Sequence, residues 1–181
     1  MNFSATPIPG VVASTTPPHR DARGSFARLY CPDEFAAAGI AFTPGQINLS
    51  ANPRRHTLRG LHFQHPPFAE AKLVRAVAGQ VWDVAVDLRP GPGFGRWHGV
   101  VFDAQVMNAV FLAEGVAHGF LTLSDGAEVL YQMGRPHVPG RAAGLRWDDP
   151  ALAIQWPAAP ALIGDADRIC PLLADRSDLA Q

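Results

Sequence analysis

The chain has 181 residues, and its fifteen basic and sixteen acidic side chains leave a formal net charge of −1. A chain of this length most simply forms one domain, residues 1–181, and buries about two thirds of its unfolded surface, so it needs no disulfide or structural metal for stability. The near-neutral charge provides no general surface for polyanions. It therefore argues against nucleic acid as a partner, although a local phosphate site remains open.

Two cysteines, Cys31 and Cys170, lie far apart and match no metal-binding or redox spacing. Free thiols of this kind are typical of an intracellular protein. The N-terminus lacks a basic segment followed by an apolar run, and no apolar stretch reaches the roughly 18 residues that a membrane span needs. We therefore expect a soluble, cytoplasmic protein with no membrane partner.

Seventeen prolines and seventeen glycines are spread along the chain, with short runs rich in Val, Leu, Phe and Trp between them. This pattern is typical of strands joined by turns and favours an all-β fold. One helix is predicted over residues 32–39, where proline and acids open the segment and a glycine ends it. A second short helix is predicted near residues 165–173, cut by Pro171. The tail, residues 176–181, is expected to fray.

The predicted strands recur with turns about every eight to twelve residues, which indicates a jelly roll or sandwich. They span residues 45–50, 72–78, 81–89, 99–102, 109–113, 119–123 and 128–133. Gly79 and Gln80 are predicted to form the two-residue turn of a hairpin between the second and third of these strands. Along residues 81–89 an apolar face that begins at Trp82 alternates with a polar face that begins at Asp83. The polar face could meet water or line a ligand cavity.

The stretch Arg59–Gln64, followed by Glu70–Arg75, places a histidine, a lysine and two arginines in apolar, strand-like sequence. Because a buried charge is costly unless the fold uses it, this segment is a candidate active site. His62 could act as a general base if a carboxylate orients it, or it could be a hydrogen-bonded core residue. Lys72 and Arg59 could stabilise an oxyanion, or they could form surface pairs with Glu70 or Asp83.

Arg59 and His62 differ in strand parity, so a straight strand would point them to opposite faces. Aiming both at one cavity requires a bulge or a kink. Gly60, which lies between them, could supply it.

Two residues further along the chain are also candidates. His118 is predicted to lie in a turn between two apolar runs, where it could bind an oxygen or phosphate or be purely structural. Tyr131 could be a general acid presented from a strand, or a core tyrosine whose hydroxyl bonds a backbone carbonyl. A metal site is the alternative use of these side chains, with His62, His65, His118 and Glu70 as the ligand types. However, no His-x-His pair shares a strand face, so we expect no metal.

Short motifs that run in order through nearly the whole chain resemble the dTDP-4-dehydrorhamnose 3,5-epimerase family. The match is specific because so many segments agree together. They are Asp21-Ala-Arg-Gly-Ser-Phe26, Gln46-Ile-Asn-Leu-Ser50, Leu58-Arg-Gly-Leu-His-Phe-Gln64, Ala71-Lys-Leu-Val74, Gly79 to Arg89, Phe94-Gly95, Gly115-Val-Ala-His-Gly-Phe120, Leu130-Tyr131, Trp147-Asp-Asp-Pro150 and Ile154-Gln-Trp-Pro157.

The resemblance implies a cupin-type jelly roll, or double-stranded β-helix, that uses no metal or other cofactor. It also implies a homodimer in which an N-terminal arm, about residues 1–30, reaches the partner's site. The implied reaction inverts C3, C5 or both in a nucleotide-linked 4-keto-6-deoxyhexose. The leading substrate is dTDP-4-dehydro-6-deoxy-D-glucose, which would be converted to dTDP-4-dehydro-L-rhamnose.

The resemblance also implies a role for individual residues. His62 would remove the protons, oriented by Asp167, and Tyr131 would return a proton on the opposite face at C5. Lys72, assisted by Arg59, would hold the enolate oxygen. The implied substrate-binding residues are Gln46, Asn48, Asp83 and His118 around the sugar and diphosphate, with Arg23, Phe26 and Arg28 in the arm, Arg23 reaching the diphosphate from the partner subunit.

Three positions depart from the family pattern: Arg28 and Ala142 each replace a glutamate, and Ala166 replaces a basic residue. All three belong to substrate recognition. They motivate an alternative in which the same chemistry acts on a CDP- or GDP-linked sugar, or at one carbon only. A non-catalytic carbohydrate-binding jelly roll and a metal-dependent cupin enzyme are the alternatives from other classes.

Overall fold

A computed structural model describes residues 1–179 as strands joined by loops, with two short helices and one 3₁₀ turn at Leu173–Asp175. Every strand predicted from the sequence is present, with ends displaced by at most three residues. The helices are α1 (Pro32–Ala37) and α2 (Asp165–Arg168). The strands are β1 (Asn2–Ala5), β2 (Val11–Thr15), β3 (His19–Asp21), β4 (Gly24–Phe26), β5 (Gln46–Asn52), β6 (Thr57–Gln64), β7 (Lys72–Ala78), β8 (Gln80–Asp87), β9 (Trp97–Asp103), β10 (Ala109–Leu112), β11 (Val116–Thr122), β12 (Ala127–Met133), β13 (Ala142–Gly144) and β14 (Leu162–Ile163).

Two largely antiparallel sheets make up the fold. The first sheet has the order β1-β2-β10-β7-β12-β5, and the second has the order β13-β6-β11-β8-β9, with β14 joining β6 in parallel. From β5 to β8, and again from β10 to β13, each successive strand lies in the other sheet. This alternation is the winding of a jelly roll. The all-β jelly roll predicted from the sequence is confirmed.

The predicted hairpin at Gly79 and Gln80 is wrong. Strand β7 pairs with β10 and β12 in the first sheet, whereas β8 pairs with β9 and β11 in the second. Gly79 therefore forms a corner between sheets, with a φ of 65° and room for no Cβ, since one would lie 2.2 Å from the Ser124 hydroxyl oxygen. A two-residue link has the length of a hairpin turn, but its length does not reveal whether the flanking strands pair.

The core between the sheets decides which way β8 faces. Val74 and Val129 of the first sheet pack with Val81 and Phe120 of the second, and all four are fully buried. A large apolar side chain buried in this way contributes about 1.5–3 kcal/mol. The apolar face of β8 that begins at Trp82 packs instead on the outer side of its sheet. The polar face of β8 thus points into the sandwich, which answers the question that its alternating pattern left open.

The outer side of the first sheet is covered by α1 and its flanking loops. Phe35 of α1 packs edge to face against Phe3 and Phe111, with Tyr30 and Phe42 completing an aromatic cluster. This cluster fastens the N-terminal segment to the sheet. Among the described residues, no helix has the length and apolar character needed to cross a membrane.

The C-terminal segment packs against the second sheet. The guanidinium of Arg176 lies over the ring of Phe63 and donates a hydrogen bond to the carbonyl of Gly144 at 3.0 Å. Leu179 contacts the apolar cluster on that side. The sequence predicts fraying of residues 176–181, and residues 180 and 181 lie outside the described residues. Cys31 and Cys170 are free thiols.

Candidate active site

A cavity of about 410 Å³ opens between the two sheets. Both sheets contribute to its walls, so that side chains from β5, β7 and β12 face side chains from β6 and β11 across it. The lining residues are Asn48, Leu49, Ser50, Arg59, His62, Phe63, Gln64, Glu70, Lys72, His118, Tyr131, Met133, His137 and Ala142. The structure therefore brings most of the predicted site residues of the strands to one cavity. These are Asn48, Arg59, His62, Lys72, His118 and Tyr131.

A β-bulge in β6 allows Arg59 and His62 to share this cavity. His118 of β11 lies opposite His62, but Phe120 lies opposite Arg59, so β6 contains one residue more than β11 over this stretch. The extra residue reverses the parity of the strand, as the sequence required. Gly60 has a φ of 123°, and a Cβ there would lie 2.5 Å from the Cα of Gly119. Only glycine fits the bulge at this close approach.

His62 is paired with a carboxylate from α2. Its Nε2 lies 2.7 Å from Oδ1 of Asp167, and Oδ2 of Asp167 accepts the backbone N–H of Gly60 at 3.1 Å. Burial raises the pKa of Asp167, but the hydrogen bonds from His62 and Gly60 and the charge of Arg59 together hold it below its ordinary value. The carboxylate is therefore ionised at neutral pH. It orients the imidazole and leaves Nδ1 as the nitrogen able to take a proton.

Lys72 is a buried cation, with only 4% of its surface exposed. Its Nζ lies 3.1 Å from Oε1 of Glu70 and donates a hydrogen bond to the carbonyl of His62 at 3.1 Å. Burial lowers the pKa of Lys72, while the charges of Glu70 and Asp83 oppose that shift. The sequence left open a surface pair between Lys72 and either Glu70 or Asp83. The structure pairs Lys72 with Glu70, and this pair is buried beside the cavity.

His118 and Tyr131 both line the cavity and contact each other. His118 lies within β11 rather than in the turn predicted for it, because the turn falls earlier, at Gly115, and its Nε2 contacts Oδ2 of Asp83. Burial raises the pKa of Asp83, although His118 and Lys72 oppose the shift. The ring of Tyr131 meets that of His118 edge to face, with 5.6 Å between their centroids. Burial and the charge of Asp83 raise the pKa of the Tyr131 phenol, so it remains protonated at neutral pH.

Two polar side chains of β5 bond to residues that line the cavity. Asn52 accepts a hydrogen bond from Nε of Arg59 at 2.8 Å. Gln46 donates to the side chain of Asn48 at 2.9 Å and accepts the backbone N–H of His137 at 3.0 Å. Gln46 therefore ties β5 to the loop that carries His137, although it does not itself line the cavity.

The three predicted binding residues of the N-terminal arm lie away from this cavity. Arg23 and Phe26 lie in the β3–β4 hairpin and are strongly exposed, and Arg23 pairs with Asp21. Arg28 pairs with Glu34 of α1 at 2.6 Å. Of the other positions that depart from the family pattern, Ala142 lines the cavity, whereas Ala166 lies in α2 and does not.

Several lining residues were not singled out from the sequence. Glu70 was considered only as a pairing partner or a metal ligand. Three further lining residues were not considered as site residues: His137, Gln64 and Met133. Glu70 could have been found from the sequence. Residues two apart on a strand point to the same face, and Glu70 lies two residues before the buried Lys72. His137 lies in an irregular loop, where no periodicity marks the face that turns inward. Within residues 1–179, no cluster of three or more His, Cys, Asp or Glu is arranged to hold a metal.

This jelly roll brings an imidazole–carboxylate pair, a protonated phenol and a buried ammonium together around one cavity, and such groups are able to accept and donate protons. The model of the dTDP-4-dehydrorhamnose 3,5-epimerase family matches residues 5–175. The chain belongs to this family, and it is an isomerase.

Relatives and solved structures agree with this assignment. The dTDP-4-dehydrorhamnose 3,5-epimerase of Mycobacterium tuberculosis is 40% identical over 174 residues, which cover 93% of this chain and 85% of that protein. The dTDP-4-dehydrorhamnose 3-epimerase of Streptomyces niveus is 40% identical over 180 residues, covering 98% and 86%. The 3,5-epimerase structure from Legionella pneumophila, in complex with dTDP-4-keto-L-rhamnose, has a TM-score of 0.93 at 31% identity and covers 99% of this chain and 96% of that one.

Replacing Gly60 with alanine is expected to disturb the site and the fold together. The new Cβ would meet backbone atoms on β11, which cannot move aside as a side chain can. We expect Gly60→Ala to lower the free energy of unfolding by about 3 kcal/mol or more in urea titrations.

The matched control is Gly126→Ala. Gly126 also has a positive φ, of 65°, but a Cβ there meets nothing within 4 Å, so a loss of only about 1 kcal/mol is expected. Equal losses in the two variants would show that the close approach to Gly119 does not constrain β6.

Proposed function

We propose that the chain inverts the carbons next to the keto group of dTDP-4-dehydro-6-deoxy-D-glucose, giving dTDP-4-dehydro-L-rhamnose. The observation that supports the proposal is that His62 and Tyr131, the proposed base and acid, lie on opposite walls of the cavity. His62 lies on β6 of the second sheet, and Tyr131 lies on β12 of the first. A proton removed on one side of a bound sugar and returned on the other inverts the carbon between them.

Proton removal is the first step of the proposed mechanism. A proton next to a carbonyl is too weakly acidic for imidazole unless the enolate that forms is stabilised. His62 takes the proton on Nδ1, since Nε2 is engaged by Asp167. The ionised Asp167 then stabilises the imidazolium.

Stabilisation of the enolate falls to Lys72 and Arg59. An ammonium has three N–H groups. In Lys72, two of these N–H groups bond to Glu70 and to the carbonyl of His62. The third N–H group is left for the keto oxygen of the substrate. A fixed cation in a cavity shielded from water stabilises a developing negative charge far more than it would in water.

Proton return falls to Tyr131. Its raised pKa keeps the phenol protonated, so it can donate a proton to the enolate from the first sheet. His118, held by Asp83, and Asn48 line the same cavity and are proposed to bind the sugar and diphosphate.

A second candidate function keeps this chemistry but changes its scope. The relative from Streptomyces niveus is named a 3-epimerase, and this chain is as similar to it as to the 3,5-epimerase of Mycobacterium tuberculosis. Inversion at C3 alone is therefore the alternative. A CDP- or GDP-linked sugar is the corresponding alternative for the nucleotide, since Ala142 lines the cavity where the family carries a glutamate.

The His62→Ala variant tests the base. In deuterium oxide, proton NMR of dTDP-4-dehydro-6-deoxy-D-glucose should show exchange at C3, C5 or both with the wild-type chain. The variant should lose at least about a hundredfold in exchange rate, which is the usual contribution of a general base.

Calorimetric binding of the same sugar is the control, because removal of the half-exposed His62 ring should leave binding largely intact. Undiminished exchange in the variant would overturn the assignment of His62. Exchange at one carbon alone would select the alternative of single inversion. Exchange with CDP or GDP sugars but not with the dTDP sugar would change the substrate.

The Tyr131→Phe variant tests the acid. Without the phenol, His62 can still remove a proton and return a deuteron to the same face. We expect exchange to continue at C5, while inversion at C5 falls at least about a hundredfold, as measured by NMR of the product.

Tyr30→Phe is the matched control for this variant. The hydroxyl of Tyr30 bonds the carbonyl of Phe42 in the cluster around α1, outside the cavity, so its removal should leave inversion unchanged. Inversion at C5 that persists in Tyr131→Phe would contradict the assignment of the acid.

We further propose that the chain is a homodimer in which Arg23 of one subunit reaches the other's cavity. Support comes from the exposed position of Arg23 in the β3–β4 hairpin, outside its own cavity. Mixing Arg23→Ala with His62→Ala in equal amounts should then recover about a quarter of the wild-type activity. Half of the dimers are mixed, and each mixed dimer has one intact site out of two.

Mixing His62→Ala with Tyr131→Phe provides the control. Both residues belong to the same cavity, so no mixed dimer contains an intact site and inversion at C5 should not recover. A monomer in light scattering, or no recovery with Arg23→Ala, would refute the shared site.

A further inference from the structure

Glu70 is a buried acid with one carboxylate oxygen that has no partner among the described residues. Only 5% of Glu70 is exposed, and the residue lines the cavity beside Lys72. Oε1 lies 3.1 Å from Nζ of Lys72, whereas Oε2 accepts no hydrogen bond within residues 1–179. A buried carboxylate oxygen without a donor is costly, so a donor from outside the described residues would stabilise it.

Lys72 has the complementary feature. Of its three N–H groups, one points to Oε1 of Glu70 and one to the carbonyl of His62, and the third is left for a ligand oxygen. An acceptor and a donor therefore lie side by side in the wall of the cavity. The two are held together by their own ion pair, so their spacing is fixed before a ligand enters.

We propose that Glu70 and Lys72 together recognise a ketone with a hydroxyl on the next carbon. Lys72 donates to the keto oxygen, and Oε2 of Glu70 accepts the hydrogen bond of the neighbouring hydroxyl. This inference rests on the proposed function and deepens it, because it makes Glu70 a specificity residue for the sugar.

The chemistry of the sugar identifies that hydroxyl. In a 4-keto-6-deoxyhexose, C3 carries a hydroxyl group, whereas C5 carries only the ring oxygen and a methyl group, neither of which donates a hydrogen bond. The C3 hydroxyl is thus the one donor directly beside the keto group. Its bond to Glu70 orients the ring so that the carbon to be deprotonated faces His62.

Comparison of two substrates tests the inference. Deuterium incorporation beside the keto group is measured for the 4-keto sugar and for its 3-deoxy analogue, with the wild-type chain and with Glu70→Gln. The wild type should lose about ten- to a hundredfold in kcat/KM on the 3-deoxy analogue, since the site's acceptor is left unpaired. Glu70→Gln should lose a similar factor on the 4-keto sugar and much less on the analogue.

The comparison separates direct recognition from an indirect effect. Loss of the charge of Glu70 also lowers the pKa of Lys72, but that change acts on both substrates alike and cancels in their ratio. Equal losses of Glu70→Gln on the two substrates would overturn the inference, because Glu70 would then act only through Lys72. Glu128→Gln, a half-buried glutamate outside the cavity, should behave as the wild type on both.

Failure of this inference differs from failure of the proposed function. If the wild-type chain exchanges no proton of any nucleotide-linked 4-keto sugar, the proposed function and the inference fall together. If the wild type exchanges and does not discriminate against the 3-deoxy analogue, only the role of Glu70 falls. Should Glu70→Gln unfold, as a urea titration would show, the substrate ratio of the wild type and of Glu70→Asp decides by the same criterion.

Discussion

Charges buried between two sheets are the constraint on which this structure depends. Lys72, Glu70, Asp83 and His118 are each at most 5% exposed. Removing an ion from water costs several kcal/mol, and removing one partner of a buried pair typically destabilises a protein by about 3–5 kcal/mol. The ionisable side chains therefore occur as couples, Lys72 with Glu70 and His118 with Asp83. The apolar core elsewhere in the sandwich provides the stability that offsets the remaining cost.

Backbone geometry is the second constraint, because a regular strand points alternate residues to opposite faces. Arg59 and His62 reach one cavity only because β6 contains an extra residue, and that bulge fits only because Gly60 and Gly119 let two backbones approach closely. The same segment donates the N–H of Gly60 to Asp167. The bulge therefore aims His62 at the cavity and also positions the carboxylate that orients its ring.

Local signals explain which parts of the fold were predictable. Strand positions follow from turn residues and apolar alternation, so residues 72–78 were found to the residue. Strand partners are not local: the predicted two-residue link at Gly79 and Gln80 has the length of a hairpin turn, but the strands on either side of it lie in different sheets. The short strands β1 to β4, β13 and β14 were missed because they carry little periodicity. β3 and β4 in addition are fully exposed.

The same distinction applies to the site. His62, Lys72 and Tyr131 were detectable because polar groups stand out in apolar strands. Asp167 came only from the family resemblance, since nothing near it in sequence reveals a hydrogen bond to a residue 105 positions away. His137 was missed because its loop has no periodicity from which its direction follows.

The architecture separates the groups proposed for chemistry from most of those proposed for recognition. His62, Lys72 and Tyr131 lie on inner strands of the two sheets, where neighbouring strands on both sides hold the backbone. Of the positions that depart from the family pattern, Arg28 lies beside α1, Ala142 lies on the edge strand β13, and Ala166 lies in α2 next to Asp167. An edge strand or an arm can change its side chains without moving the base or the acid. A jelly roll of this kind can therefore keep one proton-transfer site while the sugar or nucleotide that it accepts changes.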